Sequence, residues 1–235
     1  MNLSIYRSEL LTILGGNGSG KSTLLQIMAG ISNPQRGKVS YDKIDLKKLK
    51  EKEKYKKIGY LSQNPMANFL CDTVKEELYG VKKTADHRQF EEDLQRLIML
   101  FEIEHLLEQH PYDCSGGEKQ KIAMVSVLLS RPELLLIDEP TKGLDPYSKY
   151  HLASFIHQLR EESALTIVMV THDIEFAAKH ASRCALLFDG NITFEGSPSA
   201  LFSNNYFYTT SINRLVREYL PDAITTEDVL DKWRN

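Results

Sequence analysis

The chain has few features that would place it in a membrane or in an oxidising compartment. It contains only three cysteines, Cys71, Cys114 and Cys184, and none of them is in a Cys-x-x-Cys pair. We therefore expect reduced thiols in a cytosolic protein. No apolar run approaches the roughly 18 residues of a membrane-spanning helix, and the first residues have no signal-peptide pattern. The sequence predicts a soluble protein that meets a membrane only through a partner.

The chain also lacks a strong net charge, which is formally −3 over 235 residues. A balance of this kind provides no general attraction to nucleic acid or to anionic lipid, so we predict no nucleic-acid partner. Lysines are dense in residues 43–57, but acidic residues interrupt them, which is typical of a solvated surface. Apolar residues make up 42% of the chain, enough for a sizeable core.

A glycine-rich loop is the most informative feature of the sequence. It lies between an apolar strand, residues 10–14, and a helical segment, residues 24–29, and it has the form G-x-x-x-x-G-K-[ST]. In this context the backbone N–H groups of the loop and the start of the helix bind phosphate. Lys21 can reach the β- and γ-phosphates of ATP, and the Ser22 hydroxyl can bind Mg²⁺. The predicted nucleotide contacts of the loop are Gly15, Asn17, Gly18, Ser19, Gly20, Lys21, Ser22 and Thr23.

Two adjacent carboxylates follow the apolar run of residues 134–137, which is typical of a strand covered on both faces. Such a pair is costly at the end of a buried strand unless a cation lies nearby. Bound Mg²⁺ would supply that charge. We predict that Asp138 holds the metal through water and that Glu139 accepts a proton from an attacking water.

Two further strands place polar residues at the same predicted edge. Residues 58–61 form an apolar strand that is followed closely by Gln63, and residues 165–170 form another that is followed by His172. Ligands of α/β proteins bind at the carboxyl edge of the sheet. A functional role is therefore more plausible for His172 than for a histidine elsewhere.

A second candidate anion site lies in the helical part of the chain, from residue 64 to about 127. Ser115-Gly116-Gly117 opens a helix, where free backbone N–H groups cluster. Taken alone, this pattern is also a common turn and cap.

Together, the loop at 15–22, Gln63, the segment 115–118, Asp138-Glu139, Asp145 and His172 resemble the nucleotide-binding domain of an ABC transporter over residues 3–200. The resemblance implies an α/β fold. It would have a phosphate-loop (RecA-like) NTPase core, a small antiparallel β portion and a helical subdomain inserted at about 64–127. It also implies ATP and Mg²⁺ as ligands and an ATPase that works as a head-to-tail dimer.

The same resemblance implies roles for the remaining motif residues. Gln63 would sense Mg²⁺ and water, and His172 would contact the γ-phosphate. The signature segment, with Ser115, Gly117 and Glu118, would complete the ATP site of the partner domain. Asp145 would belong to a loop that crosses the dimer interface.

Within the family, residues 62–78 and the tail resemble the ATPases of energy-coupling-factor (ECF) importers, which take up vitamins or transition-metal ions. We expect an ATPase domain at 1–204 and a helical extension at 205–235, in which Ile212, Leu215, Val216 and Tyr219 form an apolar face. Integral membrane subunits would be its partners, at the cytoplasmic face of the membrane. Pro65, Met66, Phe69 and Leu70 suggest a groove for such a subunit, and packing within the subdomain is the alternative.

The sequence departs from the family pattern in four places. Ser8 occupies the position of a usual glycine, Cys114 stands where the signature usually has Leu, and Glu118 where it often has Gln. The adenine-stacking aromatic is not assigned, because few residues precede Gly15. We expect from this an incomplete unit, the second half of a paired or tandem ATPase, that is monomeric and weakly active alone.

Three other functions are compatible with a phosphate loop. An ABC exporter ATPase would share every motif. A chromosome-maintenance or DNA-repair ATPase needs a long coiled coil between loop and signature, and residues 24–114 contain no sustained heptads. A small-molecule kinase would not require Ser115-Gly116-Gly117. The transporter ATPase is the favoured prediction.

Overall fold

A six-stranded sheet forms the centre of the protein in this computed structural model, which describes residues 1–82, 89–203 and 205–234. The strands of this sheet lie in the order β4-β5-β6-β1-β7-β8. The first five are parallel, and only β8 runs antiparallel to its neighbour. The strands are β1 (Leu10–Leu14), β4 (Ile58–Leu61), β5 (Leu134–Asp138), β6 (Thr166–Thr171), β7 (Arg183–Phe188) and β8 (Asn191–Gly196).

The central strands are apolar because both faces of the sheet are covered. Every residue of β1, β5 and β6 is buried, as expected for a parallel sheet between helical layers. A separate two-stranded hairpin consists of β2 (Ser40–Tyr41) and β3 (Ile44–Asp45). The predicted α/β fold with a small antiparallel portion is therefore confirmed.

The helices cover the two faces and supply the inserted subdomain. Short 3₁₀ segments accompany them, at Leu46–Lys48, Pro65–Asn68, Glu104–Leu106 and Pro111–Asp113. The helices of the first half are α1 (Lys21–Met28), α2 (Glu51–Lys57), α3 (Val74–Gly80), α4 (Phe90–Phe101) and α5 (Gly116–Leu128). Those of the second half are α6 (Pro146–Ser163), α7 (Ile174–His180), α8 (Pro198–Phe202), α9 (Ser211–Val216) and α10 (Thr226–Arg234).

The strand register brings the carboxyl ends together. Leu14 at the end of β1 lies opposite Thr171 of β6, and Asp138 at the end of β5 lies opposite Val170. Leu61, which ends β4, pairs with Ile137. The loops after these four strands therefore emerge at one edge of the sheet.

Two element boundaries follow local signals in the sequence. Helix α6 begins at Pro146, since proline suits a first helical position. The turn between β7 and β8 is formed by Asp189 and Gly190, and both of its residues have positive φ. An Asp-Gly pair suits the left-handed turn that two-residue hairpins prefer.

The unusual Ser8 has a left-handed backbone, with φ 61°. This geometry explains why glycine is usual at the position, since a side chain is strained there. In this chain the Ser8 N–H donates to Thr166 Oγ1 at 3.0 Å, and its hydroxyl donates to the Ala164 carbonyl at 3.1 Å. These bonds partly offset the strain.

The helical subdomain has its own apolar packing, continuous with one face of the sheet. Phe69 is 5% exposed and belongs to this core, so it supports the subdomain rather than a groove, whereas Leu70 is 90% exposed. Cys114 is also buried in this core, and burial raises the pKa of its thiol. It therefore packs as a small apolar side chain in place of leucine.

The tail folds back on the core that surrounds the central sheet. Ile224 packs in one cluster with Leu14 and Phe202, and the Ser211 N–H donates to Glu175 Oε1 of α7 at 2.6 Å. Two residues of the predicted apolar face, Leu215 and Tyr219, remain exposed. None of the described helices is long and apolar enough to cross a bilayer.

Candidate active site

The glycine-rich loop between β1 and α1 forms a tight cradle. Gly18 and Gly20 have φ values of 77° and 96°, which only glycine adopts without strain. Gly15 lies close to strand β7, which is a neighbour of β1 in the sheet. An added Cβ at Gly15 would be 2.5 Å from the Leu187 carbonyl oxygen and 2.7 Å from Ser19 Oγ. The first N–H groups of α1 have no partner within the helix and belong to the same loop.

Lys21 fills the cradle from the first position of α1. Its side chain is 7% exposed, and its ammonium donates to the Gly15 carbonyl at 2.9 Å and to the Gly16 carbonyl at 3.1 Å. The same Nζ lies 3.6 Å from Glu139 Oε1. A buried cation requires such partners, and this one places a positive charge where phosphate would enter.

Asp138 and Ser22 form a polar pair beside the loop. Burial raises the pKa of the Asp138 carboxyl, and the neighbouring Ser22 hydroxyl opposes this shift. Within the described residues, the buried Asp138 Oδ1 and Ser19 Oγ have no hydrogen-bond partner. Buried polar atoms of this kind indicate a missing ligand or water.

This arrangement fits Mg²⁺. A hydroxyl and a carboxylate are the hard oxygen donors that the ion takes from proteins, while phosphates and water supply the rest. In the part of the chain that the structure describes, no group of three His, Cys, Asp or Glu side chains could hold a metal. Ser22 and Asp138 are the residues that would hold Mg²⁺.

Glu139 is held in a strained position at the end of β5. Its φ is 51°, and a non-glycine residue in this region costs about 1–3 kcal/mol, typically at functional sites. Its Oε2 accepts from His172 Nδ1 at 2.8 Å and from the His172 N–H at 3.3 Å. With Lys21 facing the other oxygen, the carboxylate is aimed into the cradle and is 9% exposed.

The structure thus joins five predicted residues into one cluster: Lys21, Ser22, Asp138, Glu139 and His172. Gln63 lies two residues beyond β4 at the same edge and is exposed. Asn17 is also exposed, in the loop, and Thr23 follows Ser22 in α1.

The predicted signature residues lie at the start of α5 and contact their own helix. Ser115 Oγ accepts from the Glu118 N–H at 3.4 Å, and Glu118 Oε2 accepts from the Ser115 N–H at 2.7 Å, which is a capping box. The hydrogen bond to Ser115 lowers the pKa of Glu118. An added Cβ at Gly116 or Gly117 would meet no described atom within 4 Å. This helix start therefore presents open backbone to an incoming group.

Asp145 caps α6. Its Oδ1 accepts from the N–H groups of Tyr147 at 2.9 Å and Ser148 at 3.1 Å, and its Oδ2 accepts from the Ser148 hydroxyl at 2.6 Å. The hydrogen bond from the Ser148 side chain is the main reason why the pKa of Asp145 is lowered. Like the signature residues, Asp145 contacts no member of the five-residue cluster in these hydrogen bonds.

Sequence reasoning missed Gln120, which connects the two regions. It lies on α5, and its Nε2 donates to the Pro140 carbonyl at 2.6 Å. It also missed the buried hydrogen bond between Thr141 Oγ1 and Thr171 Oγ1 at 2.9 Å, which joins the segments after β5 and β6. Both contacts link residues distant in sequence, so no local pattern signals them.

The sequence is similar to those of known ABC transporter proteins. The sequence model of the family described as ABC transporter matches residues 1–142. A protein of Bacillus anthracis, provisionally named an ABC transporter ATP-binding protein, is 46% identical over 100% of this chain and 42% of its own length. The chain therefore spans less than half of that relative. An energy-coupling factor transporter ATP-binding protein of Bacillus subtilis is 34% identical, over 87% of this chain and 73% of its own length.

Solved structures agree with the observed fold. The cbiO1 protein of Clostridium perfringens, part of the ABC transporter complex cbiONQ, superposes with a TM-score of 0.77 at 27% identity. That match covers 94% of this chain and 88% of the other. A dimeric ATP-binding cassette in a post-hydrolysis state, bound to ADP and Pi, has a TM-score of 0.73 at 30% identity, over 84% of this chain and 88% of the other.

Proposed function

Because the chain belongs to the ABC transporter ATP-binding family, we propose that it binds MgATP and hydrolyses it to drive solute transport across a membrane. The observation that carries this proposal is the buried Glu139 carboxylate. It is held between His172 Nδ1 at 2.8 Å and Lys21 Nζ at 3.6 Å. It lies one residue from the Asp138 that pairs with Ser22.

Each residue of the cluster has a role in the reaction. Lys21 balances the charge of the β- and γ-phosphates, and the loop N–H groups orient them. Glu139 takes the proton of the attacking water, and His172 keeps its carboxylate turned toward the γ-phosphate. Mg²⁺, when bound by Ser22 and Asp138, neutralises phosphate charge. The backbone of the glycine-rich loop approaches the phosphates closely because its glycines have no side chains.

The test compares two variants of one charge cluster. Glu139→Gln keeps the shape of the side chain but cannot accept a proton, so MgATP should still bind while the hydrolysis rate falls at least ~10²-fold. Lys21→Ala should lose nucleotide binding. Binding is measured with a fluorescent ATP analogue, and turnover is measured by phosphate release.

Wild-type-like hydrolysis by Glu139→Gln in the assembled complex would exclude Glu139 as the general base. Unchanged nucleotide affinity in Lys21→Ala would contradict the assigned phosphate site. Thermal unfolding of both variants provides the control, because loss of fold would also abolish both signals.

We also propose a head-to-tail dimer with a second ATPase domain. The open start of α5 and the cap at Asp145 are both exposed and lie outside the five-residue cluster, so they are available to a partner's ATP. Because the chain is expected to be monomeric alone, light scattering is applied to the Glu139→Gln chain mixed with a complementary ATPase half, and it should detect a dimer that forms only with MgATP. A mixture that stays monomeric with saturating MgATP would contradict this.

The finer proposal is an ECF-type importer for a vitamin or transition-metal ion, located at the cytoplasmic face of the membrane through its membrane subunits. It is supported by the similarity to the energy-coupling factor protein and to cbiO1. Leu70, which is exposed in the segment that follows Gln63 in the chain, remains a candidate contact for a membrane subunit. Co-purification of the intact complex, with mass spectrometry of the bound solute, is the direct test. An exporter complex recovered instead would contradict the subtype.

A further inference from the structure

One side chain of the signature helix contacts the segment that carries the proposed general base. Gln120 lies on α5, five residues after the helix cap Ser115, and is partly buried. Its amide Nε2 donates to the Pro140 carbonyl at 2.6 Å. Pro140 directly follows Glu139, so the amide holds the peptide next to the strained residue.

Glu139 needs such support because its backbone has φ 51°, a conformation that persists only where the surroundings impose it. Other bonds also hold the segment. The Glu139 N–H donates to the Val170 carbonyl at 2.9 Å, the Lys142 N–H donates to the Glu139 carbonyl at 3.2 Å, and Thr141 bonds to Thr171. The Glu139 carboxylate itself contacts His172 and Lys21. These contacts lie at the sheet edge and the phosphate loop, whereas the Gln120 bond comes from the helical subdomain.

An open pocket of about 100 Å³ lies between α5 and α6, with Gln120, Met124, Leu144 and Leu152 among its lining residues. Side chains of the two helices do not interlock where this pocket opens. The Gln120 hydrogen bond is a direct contact between α5 and the Glu139 segment beside it.

We propose that Gln120 is a positioning residue that couples the signature helix to Glu139. The inference rests on the proposed ATPase function. When α5 is seated, the Gln120 amide holds the Pro140 peptide and keeps the Glu139 carboxylate aimed at the nucleotide. When α5 shifts, the strained segment loses this support. Binding of the partner's ATP to the signature segment thus affects the position of the Glu139 carboxylate in the same chain.

The test is Gln120→Met, which keeps side-chain length and helix propensity but removes the donor. Loss of one hydrogen bond that positions Glu139 should lower kcat for ATP by about 3- to 10-fold. The KM for ATP and the melting temperature should remain near wild type, because Gln120 contacts neither the loop nor the nucleotide. The matched control is Gln158→Met on α6, whose amide donates to Glu162 of its own helix. It should keep the wild-type kcat.

A double-mutant cycle separates positioning from a general structural effect. If Gln120 acts through Glu139, Gln120→Met should lower the residual rate of Glu139→Gln by less than twofold. If Gln120→Met lowers the hydrolysis rate by the same factor in the wild-type and Glu139→Gln backgrounds, the proposal is overturned. A kcat of Gln120→Met equal to that of wild type would also overturn the proposal.

Different results would contradict the proposed ATPase function. Wild-type protein that does not hydrolyse ATP, or Glu139→Gln that hydrolyses it normally, contradicts that function before Gln120 is tested. If wild type hydrolyses ATP, Glu139→Gln does not, and Gln120→Met has the wild-type kcat, then the coupling alone is contradicted.

Discussion

At the scale of single residues, Gly15 shows how closely the phosphate loop is packed. The Leu187 carbonyl would be 2.5 Å from a Cβ at this position, whereas a Cβ at Gly16 would meet nothing within 4 Å. A backbone carbonyl cannot rotate away as a flexible side chain can. The loop and strand β7 would have to separate to admit one methyl group.

Gly15→Ala should therefore lower the free energy of unfolding by about 1–3 kcal/mol, as overpacking does. It should also weaken ATP binding, because the loop that cradles phosphate would be displaced. Gly16→Ala, measured without nucleotide, should change stability by less than about 0.5 kcal/mol. Urea titration of the two variants checks this. Equal stability of both would contradict the geometry of the loop.

At the scale of elements, the contact between α6 and α7 contains a histidine pair. His157 Nε2 lies 3.2 Å from His180 Nδ1, and the His180 ring also contacts Phe176, with 4.8 Å between centroids. Burial, followed by His157 and Lys179, lowers the pKa of His180 to about 4, against the opposing pull of Glu227 and Asp173. His180 therefore stays uncharged at neutral pH.

The pH dependence follows from the direction of this shift. An unfolded histidine has a pKa near 6.5, so the unfolded chain takes up the proton first as pH falls. Stability is therefore present above about pH 6.5 and decreases as pH falls toward 4. Between pH 7.5 and 5.0, wild type should lose roughly 1 kcal/mol more than His180→Gln, since solvent screening reduces the effect. Identical slopes in wild type and His180→Gln would exclude this role.

At the scale of the whole molecule, Asn213 attaches the tail to the ATPase core. It is fully buried, and its Nδ2 donates to the carbonyls of Pro221 at 2.8 Å and Ala223 at 2.9 Å. Its Oδ1 accepts from the Thr209 hydroxyl at 2.9 Å. The turn that it holds carries Ile224 into the cluster containing Leu14. The tail thus packs against the strand that leads into the phosphate loop.

Asn213→Leu should release this segment, because it leaves buried polar partners unsatisfied at about 1–3 kcal/mol each. Proteolysis within residues 205–225 should become at least tenfold faster, while MgATP affinity stays within twofold of wild type. Leu215→Ser, at a site that is 76% exposed, should leave the segment protected. A tail that resists cleavage in Asn213→Leu would contradict the role of Asn213.

The sequence alone determined those parts of the protein whose structure depends on residues adjacent in the chain. The phosphate loop, the cap at Ser115 and the buried strands β1 and β5 are local patterns of glycine, hydroxyl and apolar residues, so the chain itself specifies them. The edge that gathers Lys21, Glu139 and His172 was also predictable, because parallel strands end on the same side.

Only the tertiary structure decided how the charges of the site are held. The strain at Glu139, the hydrogen bond from Gln120 and the burial of Asn213 join residues separated in the chain or depend on such contacts. Phe69 illustrates the same limit, since an apolar residue in a loop can line a groove or fill a core, and only the neighbours packed against it decide. Local sequence records propensity, whereas burial and long-range hydrogen bonds arise when distant segments meet.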